Sequence, residues 1–86
     1  MQPAHLILVA VIDRTSSPIT ETVFVHSTLK RAAQRIASLG LECPRWKFRN
    51  DVCRVSNETH DVTVTRLRDP FMIQRFSSLV DSEATE

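Results

Sequence analysis

Glycine is almost absent from this chain, because Gly40 is the only glycine among its 86 residues. The glycine-rich loops that cradle phosphates need several glycines at fixed spacing, and so does the tight turn that presents a nucleophilic serine in many hydrolases. Neither motif can be built from this composition. The sequence therefore excludes the glycine-dependent nucleotide-binding motifs and the serine-hydrolase turn.

Cysteine and histidine are also scarce, with two cysteines and three histidines. Two cysteines do not make a disulfide framework, so we expect both thiols to be reduced. Cys43, Cys53, His26 and His60 have neither the C-x-x-C nor the H-x₃₋₅-H spacing of zinc sites. A catalytic base would have to be His5, His26 or His60, and no nucleophile motif accompanies them. We expect no metal, no other cofactor and no enzymatic activity.

Long apolar runs are absent too. The longest, Leu6–Ile12, is too short to cross a bilayer, has no basic segment before it and has no small-residue cleavage site after it. These features predict a cytoplasmic protein without a membrane partner. The run is rich in β-branched residues and does not alternate with polar ones, which predicts a central strand covered on both faces.

The segment between Ser27 and Leu41 has the start signal, the apolar face and the stop signal of one helix. Ser27 suits the N-cap, and Gly40 suits the left-handed position that ends a helix, with Leu41 folding back on Ile36. At 100° per residue, one face is apolar and the opposite face is polar and basic. The apolar face holds Leu29, Ala32, Ala33 and Ile36, and the other holds Lys30, Arg31, Gln34, Arg35 and Ser38.

The other predicted elements are strands and one more helix. Asn50-Asp51 is a tight turn that tolerates positive φ, and Asp69 followed by Pro70 is a strong helix start. The predicted strands are Leu6–Ile12, Ile19–His26, Arg45–Arg49, Val52–Val55 and His60–Leu67.

This order, β-β-α-β-β(-β)-α, predicts a single α+β domain over residues 1–80. We expect an antiparallel sheet of four to five strands, with the main helix packed on one face and a short C-terminal helix. Residues 81–86 contain no large apolar side chain and predict a disordered acidic tail.

Charge is unevenly distributed along the chain. Residues 30–54 contain seven cations and two carboxylates, whereas residues 55–86 contain three cations and six carboxylates. The cations of the helix and of the strand after it are candidates for a continuous basic strip. Such a strip neutralises phosphates in DNA- or RNA-binding modules, and elsewhere it is a solvated or protein-facing surface. The candidate binding residues are Lys30, Arg31, Arg35, Arg45, Lys47 and Arg49.

The C-terminal helix carries an apolar stripe with two interpretations. It either packs on the sheet as core, or it is an interface for a partner or for a second copy of the chain. Edge strands supply a further route to dimerisation, so both a monomer and a homodimer are compatible with the sequence. The interface candidates are Met72, Ile73, Phe76, Leu79 and Val80.

These observations favour a small non-enzymatic cytoplasmic binding protein that acts by occupying a surface of a macromolecular partner, in the first place a protein. The alternative is a DNA- or RNA-binding module that uses the basic strip on the helix and third strand. Small intracellular proteins of this kind are common among the inhibitors and accessory proteins of phages and other mobile elements. By that analogy of class alone, we expect an inhibitory or accessory role.

Overall fold

The computed structural model describes residues 4–42 and 45–80, and it has the predicted α+β architecture. Four antiparallel strands form one sheet in the order β2-β1-β4-β3. The predicted acidic tail, 81–86, and Cys43 lie outside the described residues. The elements are β1 Leu6–Asp13, β2 Thr20–His26, α1 Leu29–Ser38, β3 Val52–Ser56, β4 His60–Leu67, α2 Pro70–Phe76 and a short 3₁₀ helix Ser77–Leu79.

The first strand lies in the middle of the sheet, as its composition predicts. It pairs with β2 along one edge and with β4 along the other. Leu6 and Ile7 are both fully buried although neighbouring side chains of a strand point to opposite faces. Both faces of β1 are therefore covered, one by α1 and the other by α2.

Two cores result, one on each face of the sheet. The larger core lies between α1 and the sheet, and the smaller lies under α2, which is only seven residues long and covers one end of its face. The larger core contains Ile7, Val9, Val11, Ala32, Ile36, Leu41, Cys53, Val62 and Val64, and the smaller contains Leu6, Val25 and Ile73.

The main helix begins one residue later than predicted. Thr28, not Ser27, is the N-cap, and its hydroxyl accepts a hydrogen bond from the amide of Arg31 at 3.1 Å. Serine and threonine are both competent caps, so two of them in succession leave the boundary uncertain by one residue. The position of the helix is otherwise as expected.

The end of α1 confirms the predicted Schellman motif. Gly40 has φ +86° and donates its amide to the carbonyl of Ala37 at 3.0 Å. The amide of Leu41 reaches back to the carbonyl of Ile36 at 3.4 Å, and both of these side chains are buried. This pair of bonds closes the last turn and sends the chain toward the edge of the sheet near β3.

The strand predicted over Arg45–Arg49 is wrong, because this segment is irregular. Trp46 adopts a left-handed conformation with φ +54°, and the amide of Phe48 donates to the carbonyl of Trp46 at 3.1 Å. The two rings stack with centroids 5.8 Å apart and pack against the larger core. Packing of two large aromatic side chains has therefore overridden the strand preference of the alternating sequence.

The turn after this segment confirms its prediction. Asn50 and Asp51 both have positive φ, as a two-residue hairpin turn requires. Arg49 and Val52 exchange both backbone hydrogen bonds across it, at 2.9 and 3.0 Å. The chain thus starts a hairpin with β3, but the irregular segment continues it no further than this one pair.

Candidate binding site

An open cleft of about 690 Å³ lies beside β3, between this strand and the irregular segment that precedes it. It contacts consecutive β3 residues, whose side chains alternate between the two faces of the sheet. A cleft can meet all of them only at the edge of the strand. The lining residues of this β3 cleft are Glu42, Arg45, Lys47, Arg49, Asn50, Val52, Cys53, Arg54 and Val55.

Four exposed cations surround the β3 cleft, and we call Arg45, Lys47, Arg49 and Arg54 the cleft cations. Over the residues that the structure describes, none of the four forms an ion pair. One lining carboxylate, Glu42, accompanies them. The cleft therefore presents an excess of positive charge that this part of the chain does not neutralise.

Packing of the neighbouring aromatic rings explains why the cleft cations are exposed. Trp46 and Phe48 turn their rings toward the larger core, which leaves the residues between and beside them on the outside. The guanidinium of Arg66 stacks on the ring of Phe48 at 4.5 Å and fixes this ring from the sheet side. The alternation of core-facing rings and exposed cations is thus present without a strand, and both rings are half-buried.

Three arginines outside the cleft, Arg14, Arg66 and Arg68, are held by carboxylates. Arg66 and Arg68 both donate to the carboxylate of Asp51, at 3.2 and 3.0 Å, and Arg14 donates to Asp61 at 3.0 Å. These pairs tie the hairpin turn to the end of β4 and tie the β1–β2 loop to its beginning. The contrast sets the cleft cations apart from the structural arginines.

Of the six residues predicted for the basic strip, Arg45, Lys47 and Arg49 line the β3 cleft, and the three residues of α1 do not. Arg35 of α1 lies over the ring of Phe24 on β2, with 4.0 Å between guanidinium carbon and ring centre, and its Nε donates to Nε2 of the buried His26 at 3.4 Å. β2 and β3 are opposite edges of the sheet, about 14 Å apart at the usual strand spacing. Arg35 therefore lies toward the β2 edge and the cleft cations lie at the β3 edge, and Lys30 and Arg31 do not line the cleft.

The apolar stripe of the C-terminal helix is mostly covered by the sheet. Ile73 is 2% exposed and packs with Leu6 and Val25, while Phe76 and Val80 are half-buried against the same cluster. Of the remaining two candidates, Met72 is half-buried and Leu79 is 60% exposed. The stripe thus supplies core at one end of the sheet, and Leu79 is its outward-facing member.

Asp51 has a lowered pKa with an identifiable cause. Partial burial acts to raise the pKa of this carboxyl, but hydrogen bonds from Arg68 and then from Arg66 outweigh burial and hold the pKa below its ordinary value. A carboxyl of this kind stabilises the fold above the ordinary aspartate range. Its contribution is lost as the pH falls through the lowered pKa.

We therefore expect Asp51→Asn to lower the free energy of unfolding at neutral pH, and to lower it less at an acid pH below the ordinary aspartate range, where the carboxyl of Asp51 becomes protonated. Asparagine tolerates the left-handed conformation of this position, so the substitution removes the charge and keeps the turn. Urea unfolding of both proteins at the two pH values measures the difference. Asp13, whose pKa is also lowered, chiefly by its bonds to Thr15, is common to both proteins and cancels. A difference independent of pH would contradict this account.

Two charged residues of the β3 cleft, Arg54 and Glu42, are not among the candidates that the sequence predicts. The sequence places Arg54 in a strand and gives no role to Glu42, because the cleft depends on which strand lies at the edge of the sheet. Edge position follows from strand order, which local patterns do not encode. The signal that was present is that Arg54 is the only charged residue in a short apolar strand, a pattern typical of edges.

No group of three side chains from His, Cys, Asp and Glu within residues 4–42 and 45–80 is placed to hold a metal ion. Nδ1 of His60 lies 2.7 Å from the hydroxyl of Thr59, which also contacts the side chain of Asn57. These bonds organise the β3–β4 turn, and the β3 cleft does not include His60.

Comparison with protein-family models, with curated proteins and with solved structures finds no match for this chain. No helix within the described residues is long and apolar enough to span a membrane.

Proposed function

We propose that this protein is a non-catalytic binding protein, that the β3 cleft is its working surface, and that its partner is a protein with an acidic segment. The observation that carries the proposal is the set of four cleft cations that have no ion pair among the described residues. Like charges gathered around one concave surface repel one another, and carboxylates from a partner relieve this repulsion.

Two observations favour a protein over a nucleic acid. The cleft cations surround a concavity at the edge of a strand, and the cations that would have extended them into a long strip lie on other parts of the molecule. A nucleic acid presents phosphates at regular spacing along an extended path, which such a compact cluster matches over a short length only. The charge of the cluster supports DNA or RNA as the second candidate.

A binding protein without catalytic activity acts by blocking a surface that its partner uses. An inhibitory or accessory role therefore follows if the acidic segment of the partner is itself functional. We also propose that the protein is cytoplasmic, because two cysteines do not form the disulfide framework that is typical of small secreted domains.

Charge reversal in the cleft tests the proposal. Lys47→Glu combined with Arg49→Glu should weaken the binding of poly-L-glutamate at about 50 mM salt at least about tenfold, or about 1.4 kcal/mol. The matched control is Lys30→Glu combined with Arg75→Glu, which changes the net charge equally at two exposed cations outside the cleft. Calorimetry measures both affinities, and urea unfolding confirms that both variants are folded.

Equal losses in the two double variants would show that only net charge matters and would overturn the proposal. The same holds if poly-L-glutamate does not bind at all. Binding of single-stranded or duplex DNA that is tighter than that of poly-L-glutamate, with a steep log-linear salt dependence, would favour the nucleic-acid alternative.

A further inference from the structure

The β3 cleft occupies the place of a missing strand. Arg49 pairs with Val52 across the hairpin turn, so continuing the same register would pair Lys47 with Arg54. Instead the left-handed Trp46 and the tight turn around Lys47 carry the chain away toward the core. The hairpin opens after its first pair, and the space where its second strand would lie is the cleft.

Alternate residues of β3 direct their backbone amides and carbonyls into this space. The amide of Arg66 donates to the carbonyl of Asp51 at 2.8 Å, and the amide of Asn57 donates to the carbonyl of His60 at 3.0 Å. Backbone groups of successive strand residues point to opposite edges, so the odd-numbered residues of β3 face β4. Arg54 and Ser56 consequently direct their amides and carbonyls to the other edge, where each offers one donor and one acceptor.

The length of the groove along β3 and the charge of its rim define which ligand can bind there. A second, smaller concavity of about 320 Å³ shares Glu42 and Val55 with the cleft and continues along β3 to Asn57, so the groove follows the whole strand. A second copy of this chain would bring its own cleft cations against these, and like charges facing each other across an edge oppose pairing. An acidic segment meets opposite charge along the same path.

We propose that the β3 cleft takes an extended acidic peptide segment of the partner protein as a fifth strand beside β3. The segment pairs its backbone with Arg54 and Ser56, and its carboxylates lie among the cleft cations. Strand addition of this kind draws affinity from main-chain hydrogen bonds and specificity from the side chains at its rim. The inference rests on the proposed function and specifies how the partner is held.

Synthetic peptides test the mode of binding. The probe is a short, acetylated and amidated peptide of alternating glutamate and threonine, which suits an extended conformation. The first control has the same sequence with its central amides N-methylated, which removes the hydrogen-bond donors and keeps the charge. The second control replaces each glutamate with lysine. Calorimetry at about 50 mM salt gives the affinities, and amide hydrogen exchange reports on Arg54 and Ser56.

The acidic probe should bind at least about tenfold more tightly than either control and should slow amide exchange at Arg54 and Ser56. Equal binding of the probe and its N-methylated form would overturn strand addition and leave the proposed function standing. Failure of both to bind would overturn the two together. Equal binding of the lysine peptide would overturn the selection by charge.

A variant of the protein adds an independent measurement. Ser56→Pro removes the donor at the outer edge of β3, where Ser56 lines the smaller concavity that continues the cleft. Proline is accepted on edge strands where its nitrogen faces outward. We expect the affinity for the acidic probe to fall, and the affinity for the N-methylated peptide to fall less, because its methyl groups already hinder pairing of its backbone with β3. Unchanged affinity for both peptides in the folded variant would contradict the assigned backbone contact.

Discussion

Replacing Ile36 with alanine should lower the free energy of unfolding by about 2–5 kcal/mol, a large share of the stability of a domain this size. Ile36 is fully buried in the larger core, and its carbonyl accepts the amide of Leu41 at the end of α1. Truncation leaves a cavity between the helix and the central strands. It also removes the side chain on which Leu41 packs, so the helix ending weakens with the core.

Urea unfolding of the wild type and of the alanine variant measures this loss. Gln34→Ala is the matched control, because Gln34 is exposed on the same helix and alanine suits a helix interior. We expect the control to stay within about 0.5 kcal/mol of the wild type. A loss below about 1 kcal/mol for Ile36→Ala would mean that α1 is not seated on the sheet as described.

The elements that the sequence predicted correctly are those with short-range signals. Gly40 ends α1, Asn50-Asp51 turns the hairpin and Asp69-Pro70 starts α2, and each depends on backbone preferences of one or two residues. The strands of the sheet follow from apolar content and β-branching. These signals operate within a few residues, so no knowledge of the tertiary fold was needed to read them.

The site was less predictable because it depends on contacts that are distant in sequence. The alternation of cations with Trp46 and Phe48 predicts a strand, and an irregular segment whose two rings pack on the core can carry the same alternation. What decides between them is the core under the rings and the guanidinium of Arg66 above Phe48. Arg54 lines the cleft because β3 lies at an edge of the sheet. That position is a consequence of the strand order.

The packing of Trp46 and Phe48 on the core explains both the number of strands and the position of the candidate site. A five-stranded sheet would have used the segment before Asn50 to cover β3, and its cations would then have lain along a closed hairpin. Burying Trp46 and Phe48 instead completes the core beside α1 and leaves the edge of β3 open. The exposed edge is rimmed by lysine and arginine, which opposes pairing with a second copy and, in the function that we propose, leaves the edge available to acidic chains.

The second large effect is expected at Ile73, where alanine should lower the free energy of unfolding by about 2–4 kcal/mol. Ile73 is 2% exposed and contacts Leu6 and Val25, so it anchors α2 to the face of the sheet opposite α1. The matched control is Phe71→Ala, which removes a larger side chain from the same helix at a position that is 68% exposed. Exposed substitutions usually stay within about 0.5 kcal/mol.

Urea unfolding followed by both circular dichroism and Trp46 fluorescence makes this comparison, since Trp46 is the single tryptophan and lies in the other core. Coincident transitions, both displaced by Ile73→Ala, would show that α2 and the α1 core unfold as one unit. If Ile73→Ala unfolds no more easily than Phe71→Ala, then α2 is not core. Its apolar stripe would then be a surface for a partner, and the residues of the smaller core would be buried only when that partner is bound.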